Sequence, residues 1–520
     1  MHTPRTTITR SKRRRRVAKP VLEPRFELLE PRILFDVTAA IDGNGVVTIT
    51  GDANANSITI RGDSNGVITI KGTTGGPQTF GGQGVPVTKI VVNGGDGDDN
   101  IQLNNKPAKL PKDANGDPIE AEINGQGGDD TVEGGGGADS LNGGEGNDKV
   151  RGNGGNDQLN GENGNDDLGG GAGDDVNDGG DGNDDIKDKE GNNTVRGGAG
   201  DDNIRTGSGN DDIDAGSGNN TVIDDGGNNN TSAAEGNDTL KSKGAGTNNV
   251  SLGDGDNQAS FKGGTVSYTG GSGIDQVMVK NSALTAMLGG GADWGMGTLF
   301  GTSNIDGQDG NDTLNFSSPR GRAFQPAGSV TLTGGNGMNN LWYRRGKNRS
   351  EIMSLTVNGG PNDDVINVMD GTFFPIGNLT INTGGGMNTG VVKATRNLMF
   401  NGGSGVDHFS LFLFVLDSFV GAAAFDILLF GGDDEVEMLF NFVAGILFTL
   451  NIDGGDGNDF ISGKRKGGSD GESSIAYNGG MGNDHIHGSK FSEVINGGDG
   501  DDSADGGGGN DTFQSVEHTA

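Results

Sequence analysis

Between residues 125 and 241 apolar side chains stand alone and nine positions apart: Val132, Leu141, Val150, Leu159, Leu168, Ile186, Val195, Ile204, Ile213, Val222 and Leu240. Only Asn177 and Thr231 interrupt the series. One apolar residue flanked by polar ones predicts a very short strand, with the central side chain inward and its neighbours in water. Glycine-rich stretches between these triplets predict tight turns. Two nonapeptides then make one coil of about eighteen residues, with two opposed strands and a turn at each edge. Stacking the coils would bury the apolar positions in two facing columns.

The turns hold a second pattern in the same phase. In the frame G-G-x-G-x-D-x-U-x, thirteen units run without insertion from Gly125 to Lys241. The fourth position is glycine in every unit, and the sixth is Asp130, Asp139, Asp148, Asp157, Asp166, Asp175, Asp184, Asp202, Asp211 or Asp238. Asn193, Asn220 and Asn229 replace it in three units. Glycine tolerates positive φ and lets stacked backbones approach closely. Aspartate and turn carbonyls are hard oxygen donors of the kind that calcium prefers. Charge sharpens the reading, since residues 125–241 contain 27 acids and 7 bases, and the whole chain carries a formal charge of −34. That balance argues against nucleic acid as a partner of the body and for cations. One aliphatic per nonapeptide is too little core to order such a chain unaided, so the turns themselves need a cation. Cysteine is absent, which excludes disulfides and thiolate metal sites.

The repeat closely resembles the hemolysin-type calcium-binding, or RTX, nonapeptide. That resemblance implies a right-handed parallel β-roll, calcium ligation by the sixth-position aspartates, and carbonyl ligands from the turns of Gly128, Gly137, Gly146, Gly155, Gly164, Gly173, Gly182, Gly200 and Gly209. Units with Asn193, Asn220 or Asn229 are expected to have weak sites or none. Further units give Asp99, Asp312 and Asp459 as isolated matches, then Asp484, Asp502 and Asp511 in a C-terminal run, where Phe491 and Glu493 put one unit in doubt. The expected fold is therefore all-β, a β-roll of nonapeptides followed by a wider β-solenoid.

The remainder divides by composition. Residues 1–40 are basic, with ten Lys or Arg, and include "LLEPRILFD" (Leu28–Asp36), which resembles the LEPR-XLL segment of large bacterial surface proteins. Residues 41–124 read as a β-rich cap with one repeat and a proline-bearing inserted loop, and 125–263 as the calcium-binding roll. Residues 264–478 show paired glycines about every 25 residues, each pair often following a strand such as "SVTLTGG" or "LTINTGG". This predicts a degenerate solenoid of two or three strands per coil, with apolar packing where the acidic turn decays. Residues 479–520 return to calcium-binding repeats.

Other chemistry is sparse. "FSLFLFVLDSFVGAAAFDILLF" (Phe409–Phe430) is long enough to raise a membrane span, but Asp417 and Asp426 interrupt it, and buried solenoid strands fit better. His485 and His487 flank Ile486 and read as two solvated side chains in preference to a metal pair. No HExxH, G-x-S-x-G or phosphate-loop motif is present, so no catalytic residue is assigned. The expectation is a secreted or surface-associated structural or adhesive protein that folds on binding several calcium ions. Its expected partners are calcium ions and cell-surface or matrix polysaccharide or other surface proteins, with no nucleic acid and no membrane insertion. The alternatives are a polysaccharide-active enzyme on 264–478 and an RTX-type membrane-active toxin.

Overall fold

The computed structural model describes residues 37–519, apart from 83, 105, 107–110, 320–327, 346–352, 370–375, 395, 416–422, 443–447 and 468–473. The LEPR-XLL-like segment and Asp417 lie outside the described residues. Every regular element among the described residues is a β-strand. The chain winds as a solenoid with two parallel sheets, and each strand pairs with the equivalent strand one coil away. Leu141 lies in register with Ile123 on one side and Leu159 on the other. Val150 lies between Val132 and Leu168 in the opposite sheet. These eighth-position residues are at most 2% exposed, as alternation along a strand requires.

The solenoid begins with antiparallel structure. Thr38–Ile41 pairs with Val46–Thr50, and Ser57–Gly62, Val67–Lys71 and Gln78–Gly81 form a meander. Val46–Thr50 and Ser57–Gly62 then start the two parallel stacks through Lys89–Asp96 and Asn100–Leu103. From there strand pairing passes across residues 263/264 and 478/479 without a break.

Coil length changes along the chain, but the number of strands per coil does not. Equivalent turn residues are 18 apart in the nonapeptide region, then 27, 25 and 24 apart between Asp312 and Asn388. The pairing gives two strands per coil throughout this stretch, so a third strand is not formed. The additional residues fall between a second-sheet strand and the next first-sheet strand, as between Thr313–Ser317 and Ser329–Thr333. The opposite edge keeps its short turn.

The core thickens as the coils lengthen. Most strands of the nonapeptide region bury one aliphatic, and those at Asn177 and Thr231 none, whereas later strands bury two apolar side chains, such as Leu314 with Phe316 and Leu341 with Tyr343. Phe409–Phe430 belongs to this core. Asp407–Val415 and Ala423–Leu428 are solenoid strands, with Phe409, Leu411, Leu413, Phe425 and Ile427 buried. Asp426 points outward and accepts a hydrogen bond from Asn451 Nδ2 at 2.8 Å. No helix among the described residues is long and apolar enough to cross a membrane.

Candidate metal centres in the turns

The strand-to-strand geometry brings the sixth-position side chains into columns, one along each edge. Along the first edge, where the chain passes from first to second sheet, each backbone N–H donates to the Oδ1 atom of the next coil's residue. Asp130 donates to Asp148, Asp148 to Asp166, Asp166 to Asp184, and Asp184 to Asp202, at 2.7–2.9 Å. The column starts with Asn56 donating to Asp99, and Asp99 donating to Asp130. It continues through Asn220, Asp238, Asn257, Asp275, Asp293, Asp312, Asn339 and Asp364 to Asn388. The Asn388 side-chain amide carries it to Asp407, and Asp434, Asp459, Asp484, Asp502 and Glu517 complete it. Asp99, Asp312 and Asp459 are therefore members of one ladder, not isolated sites.

The second edge is shorter. Ala121 donates to Asp139, then Asp139 to Asp157, Asp157 to Asp175, Asp175 to Asn193, Asn193 to Asp211, and Asp211 to Asn229. Glu493 and Asp511 form one further step near the C-terminus.

Each ladder aspartate has a second oxygen with a different fate. Oδ2 is buried without a hydrogen-bond partner in Asp99, Asp130, Asp148, Asp157, Asp166, Asp175, Asp184, Asp202, Asp211, Asp238, Asp312, Asp459, Asp484 and Asp502. The same is true of Asp275, Asp293 and Asp434. These residues are at most 2% exposed. Asp139, Asp364 and Asp407 differ, because their Oδ2 atoms accept hydrogen bonds from the Gly135 N–H at 2.6 Å, the Gly360 N–H at 2.5 Å and the Thr383 hydroxyl at 2.9 Å. Asp511 is only partly buried, and Glu493 is satisfied within its own turn by Ser489. A buried, unpartnered carboxylate oxygen is costly. The column repeats that cost coil after coil.

The asparagine turns show what surrounds these oxygens. Asn220, Asn257 and Asn339 use Oδ1 as the aspartates do, accepting the preceding coil's N–H. Their Nδ2 atoms donate to the carbonyls of positions two and four of their own turns. The distances are 3.4 and 3.2 Å to Gly216 and Gly218, 3.2 Å to both Gly253 and Gly255, and 3.3 and 3.1 Å to Gly335 and Gly337. Aspartate carries an oxygen in place of that amide and cannot donate to those carbonyls. A buried carboxylate oxygen without a donor calls for a positive charge.

Glycine keeps this space open. A Cβ at Gly125 would lie 2.2 Å from Asp130 Oδ2 and 2.4 Å from the Gly143 carbonyl. At position four the constraint is stacking: Gly164 has φ of +133°, and its Cβ would lie 1.7 Å from the Gly146 carbonyl. Gly128, Gly146, Gly155, Gly173, Gly182 and Gly200 repeat that positive φ and close backbone approach. Gly137 and Gly209 lie outside the left-handed region, and close backbone contact alone accounts for them.

The electrostatics agrees. Burial, set against the stabilising backbone N–H, raises the carboxyl of Asp130 to about 7 and that of Asp157 to about 8, with neighbouring ladder acids adding to the rise. Asp99 and Asp148 are raised to about 6, and Asp434 to about 8, again chiefly by burial. Basic side chains engage acids on the strand faces instead: Arg151 meets Asp167, and Arg205 and Lys243 meet Asp225. No group of three or more His, Cys, Asp or Glu converges among the described residues. A cation would therefore be held by carboxylate and carbonyl oxygens together, a hard donor set that fits calcium.

Residues 122–150, 142–176, 178–213, 205–240, 451–465 and 478–513 match the RTX calcium-binding nonapeptide repeat. The chain carries RTX repeats. RTX repeats bind Ca²⁺ at multiple sites, and calcium is the cofactor of this protein. Comparison with curated proteins gives no match.

The structure extends the ladder beyond those matched residues and adds members that sequence reading missed. "GGSGIDQVM" (Gly270–Met278) and "GGSGVDHFS" (Gly402–Ser410) fit the full frame and place Asp275 and Asp407. Asp293, Asp364 and Asp434 follow degraded glycines and are recognisable only from the register. Position five is also informative. Asn147 donates its N–H to Asp129 Oδ1, Asn165 to Asn147, and Asn183 to Asn165, opposite in direction to the inner ladder. The repeated "ND" and "DD" pairs were the available signal. At the other end of the chain, His485 stacks on Phe460 and His487 meets Asp505, both on the solvent side of their strand.

Proposed function

We propose that the protein is a secreted or cell-surface structural or adhesive element whose solenoid folds when its turn ladders take up calcium. The supporting observation is the first-edge column, in which every aspartate except Asp364 and Asp407 is buried with an unpartnered Oδ2, in the branch that Asn220 uses to bond two turn carbonyls. In this reading Oδ1 ties successive coils, while Oδ2 and the carbonyls of positions two and four hold the ion. Calcium supplies the positive charge that allows the acidic turns to stack. Asp99, Asp130, Asp148, Asp157, Asp166, Asp175, Asp184, Asp202, Asp211, Asp238, Asp312, Asp459, Asp484 and Asp502 are the proposed ligands, joined by Asp275, Asp293 and Asp434.

Such a ladder repels itself where calcium is scarce and closes where calcium reaches the millimolar range of extracellular modules. That difference favours export of an unfolded chain and folding outside. The extracellular assignment is tested by antibody labelling of intact producer cells and their medium. Label on the surface or in the medium supports it; protein protected inside the cells overturns it.

A further inference from the structure

One turn of the second edge has its carboxylate in an unexpected place. The unit 188–196 carries Asn193 at position six, but Asp188 at position one, where preceding units of that edge have Gly134, Gly152 and Gly170. Asp188 is 1% exposed, and its Oδ2 lies 2.3 Å from the position that a Cβ on Gly170 would occupy. Asp175 Oδ2 lies 2.5 Å from that same point, and Asp175 is likewise 1% exposed. Two buried carboxylate oxygens thus face one another within the roughly 4–6 Å over which like charges interact strongly. Asp175 Oδ2 has no hydrogen-bond partner, nor has Asp188 Oδ1.

The neighbours of this pair are polar as well. Asn177 interrupts the apolar series at position eight, is fully buried, and donates from Nδ2 to Asp188 Oδ2 at 2.7 Å. Its own Oδ1 is unpartnered. Asn193 does not close its turn as Asn220, Asn257 and Asn339 do. Its Nδ2 donates to the position-three carbonyl of Glu190 at 3.3 Å, leaving the position-two and position-four carbonyls without that amide. The interval between the Asp175 and Asn193 turns therefore retains two carboxylates, one of them moved from position six to position one.

We propose that Asp175 and Asp188 hold a calcium ion in this interval, so that the Asn193 unit has a rebuilt site and not a lost one. This rests on the reading that sixth-position aspartates ligate calcium. Asp224 provides a contrast. It also stands at position one of a unit with asparagine at position six, Asn229, but Gly226 N–H and Ser242 Oγ already satisfy its two oxygens at 2.8 and 2.6 Å. The proposal is confined to Asp188.

The test is the number of calcium ions retained per full-length chain at saturation, measured by elemental analysis with folding checked by far-UV circular dichroism. Asp188→Gly restores the frame residue and Asp188→Asn keeps the shape; each should lose one ion. Asp188→Gly combined with Asn193→Asp should regain it, which a merely structural role for Asp188 would not produce. Asp157→Asn is the control for the underlying reading and should also lose one ion. If Asp157→Asn loses an ion while both Asp188 variants keep the full number, the rebuilt site is refuted and the ladder reading stands. Failure of the double variant to regain the ion would likewise refute relocation. If no variant loses calcium, the ladder reading itself fails.

Discussion

The side-chain amide of Asn220 occupies the branch that an unpartnered oxygen occupies in Asp202 and Asp238. One atom thereby separates a turn that closes itself from a turn that needs a cation. Asp166→Asn should consequently remove one calcium ion and stabilise the calcium-free chain, as its amide donates to the carbonyls of Glu162 and Gly164. The gain expected from relieving one buried unsatisfied group is roughly 1–3 kcal/mol. Denaturant unfolding in chelator, alongside a calcium count, measures both effects; a less stable calcium-free variant would contradict the argument. At this scale the sixth-position aspartates and fourth-position glycines were legible because a backbone turn admits few side chains. Position five was not, because asparagine and aspartate alternate there with residues that contribute only their backbone N–H, such as Ile274 and Met338.

At the scale of the strand and turn, the two edges of the solenoid behave differently. The first edge keeps a short turn and an uninterrupted ladder, while the second accepts the additional residues of the longer coils. This explains why a spacing near 25 residues suggested a possible third strand: length was visible in the sequence, but its placement outside the sheets was not. It also explains why Asp275 and Asp407 escaped notice, since changing coil lengths break the nine-residue phase that made the earlier units visible. The core offsets the loss of second-edge aspartates with larger side chains, including Phe316, Tyr343, Phe400 and Phe440, all at most 1% exposed. Stability should therefore be graded along the chain. On calcium removal, hydrogen exchange is expected to rise first in the strands between Glu120 and Ser232 and later in those between Thr313 and Asp453. Simultaneous loss of protection in both would contradict a graded dependence.

For the whole molecule, the ladders make stability a function of both calcium and protons. In the folded, calcium-free chain the carboxyls of Asp130 and Asp157 are raised to about 7 and about 8, against about 4 in an unfolded chain. Between those limits the folded state binds more protons than the unfolded state, so stability falls as pH rises from about 4 to about 8. Denaturant unfolding in chelator should show a more stable fold near pH 5 than near pH 8, and calcium should reduce the difference. A calcium-free fold that gains stability over that interval would contradict the burial of ionisable ladder groups. The measurement that bears most directly on the account is far-UV circular dichroism of the full-length chain near pH 8, titrated with Ca²⁺, with Mg²⁺ as control and chelator to reverse it. The account predicts a cooperative, reversible gain of β signal with Ca²⁺ and little with Mg²⁺. A full β signal in chelator, unchanged by Ca²⁺, would show that the ladders stack without a cation and would contradict it.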